Sequence, residues 1–492
     1  MTPAGLVPDD APGLSRGLRA GAAWTFIGLL IWAPLNFGST RAGGPEVLAA
    51  GCFVGTVLWA LSLAGGGSRP HLPLLVVGAV ALLFVATLPW LFHLISPTPV
   101  APFTQAHFAR IAARWPYSIV WRTPGNMLAL TLGLAAAILP LIDLARSPRW
   151  ALGFSVALTA TGVLVALLAL AQNYTGATGI YWRNEGRMPT NFCGTFFHHT
   201  SAGAYFNTAW PLAFALTLLA WARPRGAQGR RLLIGAGSLA LVLLVAAHTS
   251  HVSRFPQVAA LLVLPVLLWR LDWQGGRRWL WVVAAAGLVM LLAVFAGRTP
   301  VIVDRWALLF RPAPTAIVAP PLPESQWPAH MRADLFIADG SKGAGLFSDR
   351  VAGWRTALRC IAERPLTGHG PANWMGAASQ NTQNPFIRTF FQFVQFTHQD
   401  VLQFAVEWGL PAALAWWTLL IGGVVAVIRA RHWRSLVHRT IGIAAACALG
   451  AVLLQAQADF PLQIPAVALN VVVLAALGWS AASSSAALLP SP

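Results

Sequence analysis

Twelve long apolar segments constrain the fold of this chain more than any other feature. They lie near residues 22–38, 46–64, 72–92, 125–145, 150–172, 200–221, 231–248, 255–270, 278–296, 400–428, 440–457 and 463–480. A helix of about 20 apolar residues crosses the hydrocarbon core of a bilayer, where it also satisfies its own backbone hydrogen bonds. Only 10% of the residues are charged, against about 25% in soluble globular proteins. The sequence therefore predicts an all-α, polytopic integral membrane protein with about 12 transmembrane helices.

The distribution of arginine predicts the orientation of these helices. Short loops on one side of the predicted membrane contain Arg16, Arg19, Arg69, Arg146, Arg149, Arg223, Arg225, Arg230, Arg231, Arg270, Arg277, Arg278, Arg429, Arg431, Arg434 and Arg439. Because basic residues in short loops mark the cytoplasmic side, we expect both termini in the cytoplasm and the other loops in the periplasm. The net charge of +18 is then divided between two sides of a membrane, which argues against nucleic acid as a partner.

One large extracytoplasmic loop divides the predicted bundle. We predict an N-terminal membrane bundle of about nine spans over 1–296, a periplasmic loop over 297–399, about three C-terminal spans over 400–480 and a cytoplasmic tail over 481–492. The first part of the loop is rich in proline and alanine, and its second part has the spacing of an amphipathic helix over 348–364.

The helix over 348–364 is predicted from the periodicity of its residues. Its apolar positions are Val351, Trp354, Leu358 and Ile361, and its charged positions are Arg355, Arg359 and Glu363. Apolar residues at this spacing line one face of a helix, so we expect the helix to lie on the membrane surface with that face down. Pro365 ends the pattern, and Pro365 to Pro371 predicts a tight turn.

The tenth apolar segment begins with a polar stripe. Asp400, Gln403 and Glu407 lie at helical spacing on one face, and Pro411 lacks the N–H that would bond to the carbonyl of Glu407, which weakens the helix there. Ionisable groups within a membrane span are costly and are therefore functional candidates. His398 stands just before the stripe, and an imidazole with an ordinary pKa near 6.5 suits a general base.

Basic residues in the predicted outer loops supply a second set of candidates. Ser253 and Arg254 occupy a short outer turn, and Arg350 and Arg355 lie in the helix over 348–364. Arginine pairs with phosphate oxygens through two N–H groups and stays charged when partly desolvated. These positions suit an anionic substrate, and a solvated helix face is the alternative for Arg350 and Arg355.

The sequence shows no arrangement typical of a metal or cofactor site. The histidine pairs His198-His199 and His248-x-x-His251 have no accompanying carboxylate signature, and no Asp-x-Asp pair is present to hold a metal with a nucleotide sugar. We therefore expect no metal and no cofactor. A disulfide between Cys193 and Cys360 is left open, because both are predicted to lie outside the cytoplasm.

At these candidate residues the sequence resembles the superfamily of O-antigen ligases and O-antigen or exopolysaccharide polymerases. The resemblance is carried by Arg350 and Trp354, then Pro365-Leu366-Thr367-Gly368-His369-Gly370-Pro371, His398 followed by Gln403, and Glu407-Trp408-Gly409-Leu410. Gln399 and Val401 depart from the usual asparagine and aromatic residue of the motif. Weaker similarities lie at Pro34–Gly38, Gly194–His199, Ser253-Arg254 and Asp459–Pro465, the last resembling polymerising and larger ligase-like members.

The resemblance implies an integral membrane glycosyltransferase of the bacterial inner membrane, with its active site in the periplasm. Its donor would be a glycan on undecaprenyl diphosphate, and its acceptor a hydroxyl of a lipid A-core sugar, of another lipid-linked repeat unit or of a glycosylated protein. The implied roles are catalysis for His398 and diphosphate binding for Arg254, Arg350 and Arg355. The supporting residues would be Ser253, Trp354, Gly368, Gly370, Asp400, Gln403 and Glu407.

Two alternatives to ligation remain open at this point. A polymerase that joins lipid-linked repeat units uses the same donor chemistry. A transporter or flippase of a lipid-linked or anionic solute belongs to a different class, and it would require charges near the middle of the membrane and related, interrupted halves.

Overall fold

A computed structural model describes residues 13–66, 70–95, 123–183, 194–224, 226–251, 253–271, 348–381, 396–430, 432–433 and 435–482. The regular structure of these residues is helical. The helices are α1 Gly13–Leu35, α2 Gly44–Gly66, α3 Leu74–Ile95, α4 Pro124–Ala145, α5 Pro148–Tyr174, α6 His199–Trp221, α7 Arg230–Ser250, α8 Arg254–Arg270, α9 Ser348–Glu363, α10 Trp374–Gln380, α11 Asp400–Arg429, α12 Leu436–Gln455 and α13 Pro465–Ala482.

The predicted apolar segments correspond closely to these helices. Each has its helix except 278–296, which lies outside the described residues together with most of the predicted loop. Within the described ranges, eight helices are long and apolar enough to cross a membrane, namely α1, α2, α3, α4, α5, α7, α11 and α12, while α13 qualifies as a shorter apolar helix over Pro465–Ala481. The all-α, polytopic fold class predicted from the sequence is confirmed.

Helix α6 is as long as its neighbours but less apolar, because it contains polar residues that the core satisfies. The Asn207 side chain donates to the Pro256 carbonyl at 3.0 Å, and the Thr208 hydroxyl accepts from the Asn470 side chain at 2.9 Å. Nearly every residue of α6 is buried. Buried polar groups are stable when hydrogen-bonded, so this helix is a central element that packs against α5, α7 and α12.

Helix α11 is broken at Gly409, and this break docks the turn that follows α9. Gly409 has φ +81 and ψ 167 within an otherwise helical run, close to the break that Pro411 predicted. At this break the backbone carbonyls of Val406 and Glu407 accept from the backbone N–H groups of His369 at 2.8 Å and Gly370 at 3.0 Å. The turn thus supplies the hydrogen bonds that the interrupted helix lacks.

Glycine is required on both sides of this contact. Gly368 and Gly370 have φ +68 and +104, and a Cβ on Gly368 would lie 2.6 Å from the Glu407 carbonyl. These two supporting residues of the sequence hypothesis therefore have a structural role, which is to let the turn approach α11. The indole N–H of Trp90 donates to the Thr367 carbonyl at 2.9 Å and fixes the turn from the side of α3.

The buried face of α9 differs in part from the predicted apolar face. Its described buried positions are Gly353, Thr356, Ala357 and Cys360, and Ala357 and Cys360 pack with α10 and with Val406 of α11 in a small core. Of the predicted stripe, Ile361 is partly buried against this core, whereas Leu358 is 57% exposed. Small residues predominate on the buried face because they let α9 approach α10 and α11 closely. The centre of this face is rotated by about 100° around the helix axis from the centre of the predicted stripe.

Candidate functional site

The backbone at His398 has a conformation that side chains rarely adopt. His398 has φ +54, which costs roughly 1–3 kcal/mol and persists only where neighbouring contacts hold it. On one side the backbone N–H of Thr397 donates to the Gln403 side chain at 2.8 Å, and the Thr397 hydroxyl donates to the Gln399 carbonyl at 2.6 Å. On the other side the Gln399 side chain caps α11 by accepting from Leu402 N at 3.1 Å. His398 is thereby presented in one orientation.

The imidazole of His398 faces the carboxylate of Asp459. His398 Nδ1 lies 3.6 Å from Asp459 Oδ1, and the side chains are 34% and 2% exposed. This distance is longer than a hydrogen bond. Because a carboxylate only accepts hydrogen bonds, the contact favours the ring hydrogen of His398 on Nδ1 and a lone pair on Nε2. The Asp459 oxygens also accept from Phe460 N at 3.0 Å and approach the Gln455 amide at 3.5 Å.

Asp459 remains ionised because positive groups surround it. Burial by itself raises the pKa of Asp459, but the hydrogen-bonding interaction with His398 and the charges of His398, His198 and Arg350 lower it, and the net pKa is below the usual value. Asp459 lies in the loop between α12 and the short 3-10 helix Pro461–Gln463. The site therefore holds a negative charge that orients an imidazole.

Asp400 holds the loop that contains Asp459. Its carboxylate accepts from Leu462 N and from the Gln463 side chain, each at 2.8 Å, and its backbone N–H donates to the Ala456 carbonyl at 2.9 Å. Asp400 is 1% exposed. This candidate from the polar stripe acts within the protein, where it ties the start of α11 to the loop on both sides of Asp459.

The other members of the stripe are also engaged with protein atoms. Besides accepting from Thr397, the Gln403 side chain donates to Glu407 Oε1 at 2.7 Å, and both side chains are buried. The stripe thus forms a chain of hydrogen bonds that supports the backbone beside His398.

Arg350 connects three parts of the site. Its Nη1 donates to the Ala458 carbonyl at 2.5 Å, and its guanidinium carbon lies 5.8 Å from the centroid of the Phe255 ring. Phe255 follows Arg254, the first residue of α8. The structure therefore brings Arg350 beside the loop of Asp459 and beside the segment that contains Arg254.

The other residues near Arg350 have varied surroundings. Arg254 is half-buried, and Arg355 is exposed on α9. Trp354 is half-buried, and its indole nitrogen lacks a hydrogen-bond partner among the described residues.

The turn before Arg254 is supported by two histidines. The backbone N–H of Ser253 donates to His251 Nδ1 at 3.2 Å, and His251 Nε2 lies 3.3 Å from His248 Nδ1. Ser253 itself is 6% exposed. Burial, together with the nearby His248 and His199, lowers the pKa of His251 well below its usual value, so the imidazole stays neutral and accepts the hydrogen bond that fixes this turn.

No metal-binding cluster is present in the described ranges, where no group of three or more His, Cys, Asp or Glu side chains is placed to hold an ion. Cys360 is a buried free thiol whose pKa burial raises to about 12. Its possible partner Cys193 lies outside the described residues.

Sequence reasoning did not single out the aromatic centre of the site. The ring of Phe460 lies 4.2 Å from Phe396, 5.0 Å from His398 and 5.5 Å from His198, measured between centroids. Neither Phe460 nor His198 was among the candidate site residues. The only signal that pointed to Asp459 and Phe460 was the similarity at Asp459–Pro465, which came without a role for either residue.

A comparison with protein families identifies the segment that carries most of this site. Residues 239–417 match a family described as O-antigen ligase, and no curated protein sequence matches the chain. The matched segment includes Arg254, Arg350 and His398, and it ends before Asp459. Residues 239–417 are thus similar to the O-antigen ligase family, and the described part of the chain contains helices long and apolar enough to cross a membrane.

Proposed function

We propose that the chain transfers a glycan from undecaprenyl diphosphate to a sugar hydroxyl of an acceptor at the periplasmic face of the membrane. The observation that carries the proposal is that His398 faces Asp459, while the guanidinium of Arg350 donates to the carbonyl of Ala458 in the same loop as Asp459. An oriented base and a nearby cation are the two groups that this reaction needs.

His398 would act as the general base. As the acceptor oxygen attacks the anomeric carbon, its proton passes to His398 Nε2, which holds the lone pair because Nδ1 faces Asp459. Asp459 acts as a positioning residue that stabilises the imidazolium after proton transfer, and it keeps its own negative charge.

Arg350 and Arg254 would bind the diphosphate. When the bond between the anomeric carbon and the phosphate oxygen breaks, its electron pair leaves with the diphosphate, and guanidinium groups stabilise the developing charge. The closeness of Arg350 to Phe255, the neighbour of Arg254, supports a shared role for the two arginines. Arg355, an exposed residue on the same helix as Arg350, is the third arginine of the proposed diphosphate-binding set.

A polymerase that joins lipid-linked repeat units is the second candidate. It is favoured by one observation, which is that Asp459 and Phe460 belong to the motif that resembles polymerising members and also contact His398. Deleting the gene and analysing the glycans separates the two. Loss of long chains with single repeats still attached indicates a polymerase, whereas lipid-bound polymer that never reaches its acceptor indicates a ligase.

The proposed chemistry is tested with variants in the same deletion strain. His398→Ala, Arg254→Ala and Arg350→Ala are expected to abolish transfer while the protein stays in the membrane at the normal level. Asp143→Asn is a matched control, because Asp143 pairs with Arg19 at 2.6 Å at the opposite end of the bundle. Retained transfer in all three site variants would refute the assignment. Movement of lipid-linked glycan by purified protein in vesicles without any glycosidic product would favour a flippase.

A further inference from the structure

His198 lies beside the proposed base but belongs to a different part of the chain. It caps the start of α6, where its Nδ1 accepts from Thr200 N at 3.4 Å and lies 2.7 Å from the Thr200 hydroxyl. Its ring is 5.5 Å from Phe460, which also contacts His398 at 5.0 Å. The two imidazoles therefore border one aromatic ring.

The start of α6 is tied directly to the loop of Asp459. The Gln455 amide donates to the Thr200 carbonyl at 3.0 Å and approaches Asp459 Oδ2 at 3.5 Å. One side chain thus connects the turn that holds His198 with the carboxylate that orients His398. The relative positions of the two histidines are set by the same hydrogen bonds.

The two rings carry their hydrogens on different nitrogens. In His398 the carboxylate of Asp459, 3.6 Å from Nδ1, favours the ring hydrogen on that atom. In His198 the backbone N–H of Thr200 can only donate, so Nδ1 is the acceptor and Nε2 carries the hydrogen. One imidazole consequently offers a lone pair at Nε2, and the other offers an N–H at Nε2.

We propose that His198 is a further catalytic residue, which donates a hydrogen bond from Nε2 to the phosphate oxygen that leaves the anomeric carbon. This inference rests on the proposed glycan transfer. In a direct displacement the acceptor oxygen forms its bond to the anomeric carbon on one side while the diphosphate departs with its electron pair on the other. A base and a donor on two sides of one sugar serve these two events, and both imidazoles contact the ring of Phe460.

The experiment compares two substitutions that separate the donor from the helix cap. His198→Gln places an amide N–H near the position of Nε2 but is a poor cap, whereas His198→Ser is a good cap without a donor at that position. Purified wild type and variants are assayed with an undecaprenyl-diphosphate-linked glycan and an acceptor glycan, and thermal unfolding is measured in the same detergent.

If His198 is a catalytic donor, the two variants rank in one order by kcat and in the opposite order by unfolding temperature. We expect His198→Ser to lose about 10²-fold in kcat with little change in KM and to keep its unfolding temperature. His198→Gln should keep most of kcat while its unfolding temperature falls. A kcat for His198→Ser that equals or exceeds that of His198→Gln would overturn the proposal, and so would equal loss in both variants.

His398→Ala is assayed in parallel to separate this inference from the proposed function. If the wild type forms product and His398→Ala does not, glycan transfer stands and the two His198 variants are judged independently. If the wild type forms no glycosidic product from the lipid-linked donor, the proposed function itself fails.

Discussion

His398 Nδ1 lies 3.6 Å from Asp459 Oδ1, although the two residues are separated in the sequence by two membrane helices. The packing of those helices brings the two side chains together. His398 precedes α11 and Asp459 follows α12. Asp400 holds the contact in register by bonding to Leu462 and Gln463. The proposed base is therefore oriented by a residue that the matched family segment does not contain.

Replacing Asp459 by asparagine tests this orientation. The amide can donate to His398 Nδ1, which moves the ring hydrogen to Nε2 and removes the lone pair that takes the proton. We expect kcat to fall by about 10²-fold or more, together with a lower unfolding temperature at neutral pH because the ionised carboxylate also stabilises the fold. His398→Ala sets the lower limit of the assay. A kcat for Asp459→Asn within threefold of the wild type would contradict a positioning role.

The low pKa of Asp459 predicts how stability depends on pH. Because the folded-state pKa is below the unfolded value of about 3.9, ionised Asp459 stabilises the fold at any pH above that unfolded value. The contribution is lost as the pH falls through the folded-state pKa. We expect the difference in unfolding temperature between wild type and Asp459→Asn to be constant between about pH 7 and pH 5 and to decrease below about pH 4. A difference that grows on acidification would contradict the direction of the shift.

Arg350 is expected to need its guanidinium group as well as its charge. Lysine keeps the charge but lacks the planar fork that bonds to the Ala458 carbonyl while facing Phe255. We expect a loss in kcat of about 10-fold for Arg350→Lys and about 10²–10³-fold for Arg350→Ala.

Arg355→Ala is the matched comparison for these variants, since Arg355 is an exposed arginine of the same helix. We expect a smaller loss than for Arg350→Ala. A loss of equal size would show that Arg355 contributes as much as Arg350 to the proposed diphosphate site. Full activity in Arg350→Ala would remove Arg350 from the site.

Gly409→Ala tests the break in α11. Gly409 has φ +81, and a Cβ there would lie 2.3 Å from the Leu366 carbonyl oxygen. We expect the substitution to destabilise the protein by more than about 1 kcal/mol, measured as a lower unfolding temperature and a lower level in the membrane. Gly28→Ala is the control, because nothing lies within 4 Å of a Cβ at that position. Equal stability of the two variants would show that the close approach is not maintained.

The sequence by itself determined the local features of this protein. Long apolar runs specify helices because a membrane leaves no other way to satisfy the backbone of most spans. The predicted segments correspond to α1 to α8 and to α11 to α13, although α1 begins at Gly13, well before its predicted start. Pro365 and the glycines after it specify the turn, and Pro411 specifies the weak point of α11. Each of these features depends on neighbouring residues only.

Tertiary structure decided which side chains meet. The buried face of α9 is set by close approach to α10 and α11, so the apolar periodicity that predicts amphipathic helices misplaced it. The partners of His398 come from the loop after α12 and from the start of α6. No local pattern encodes such contacts, because they depend on how distant helices pack and on how far each extends before its chain turns.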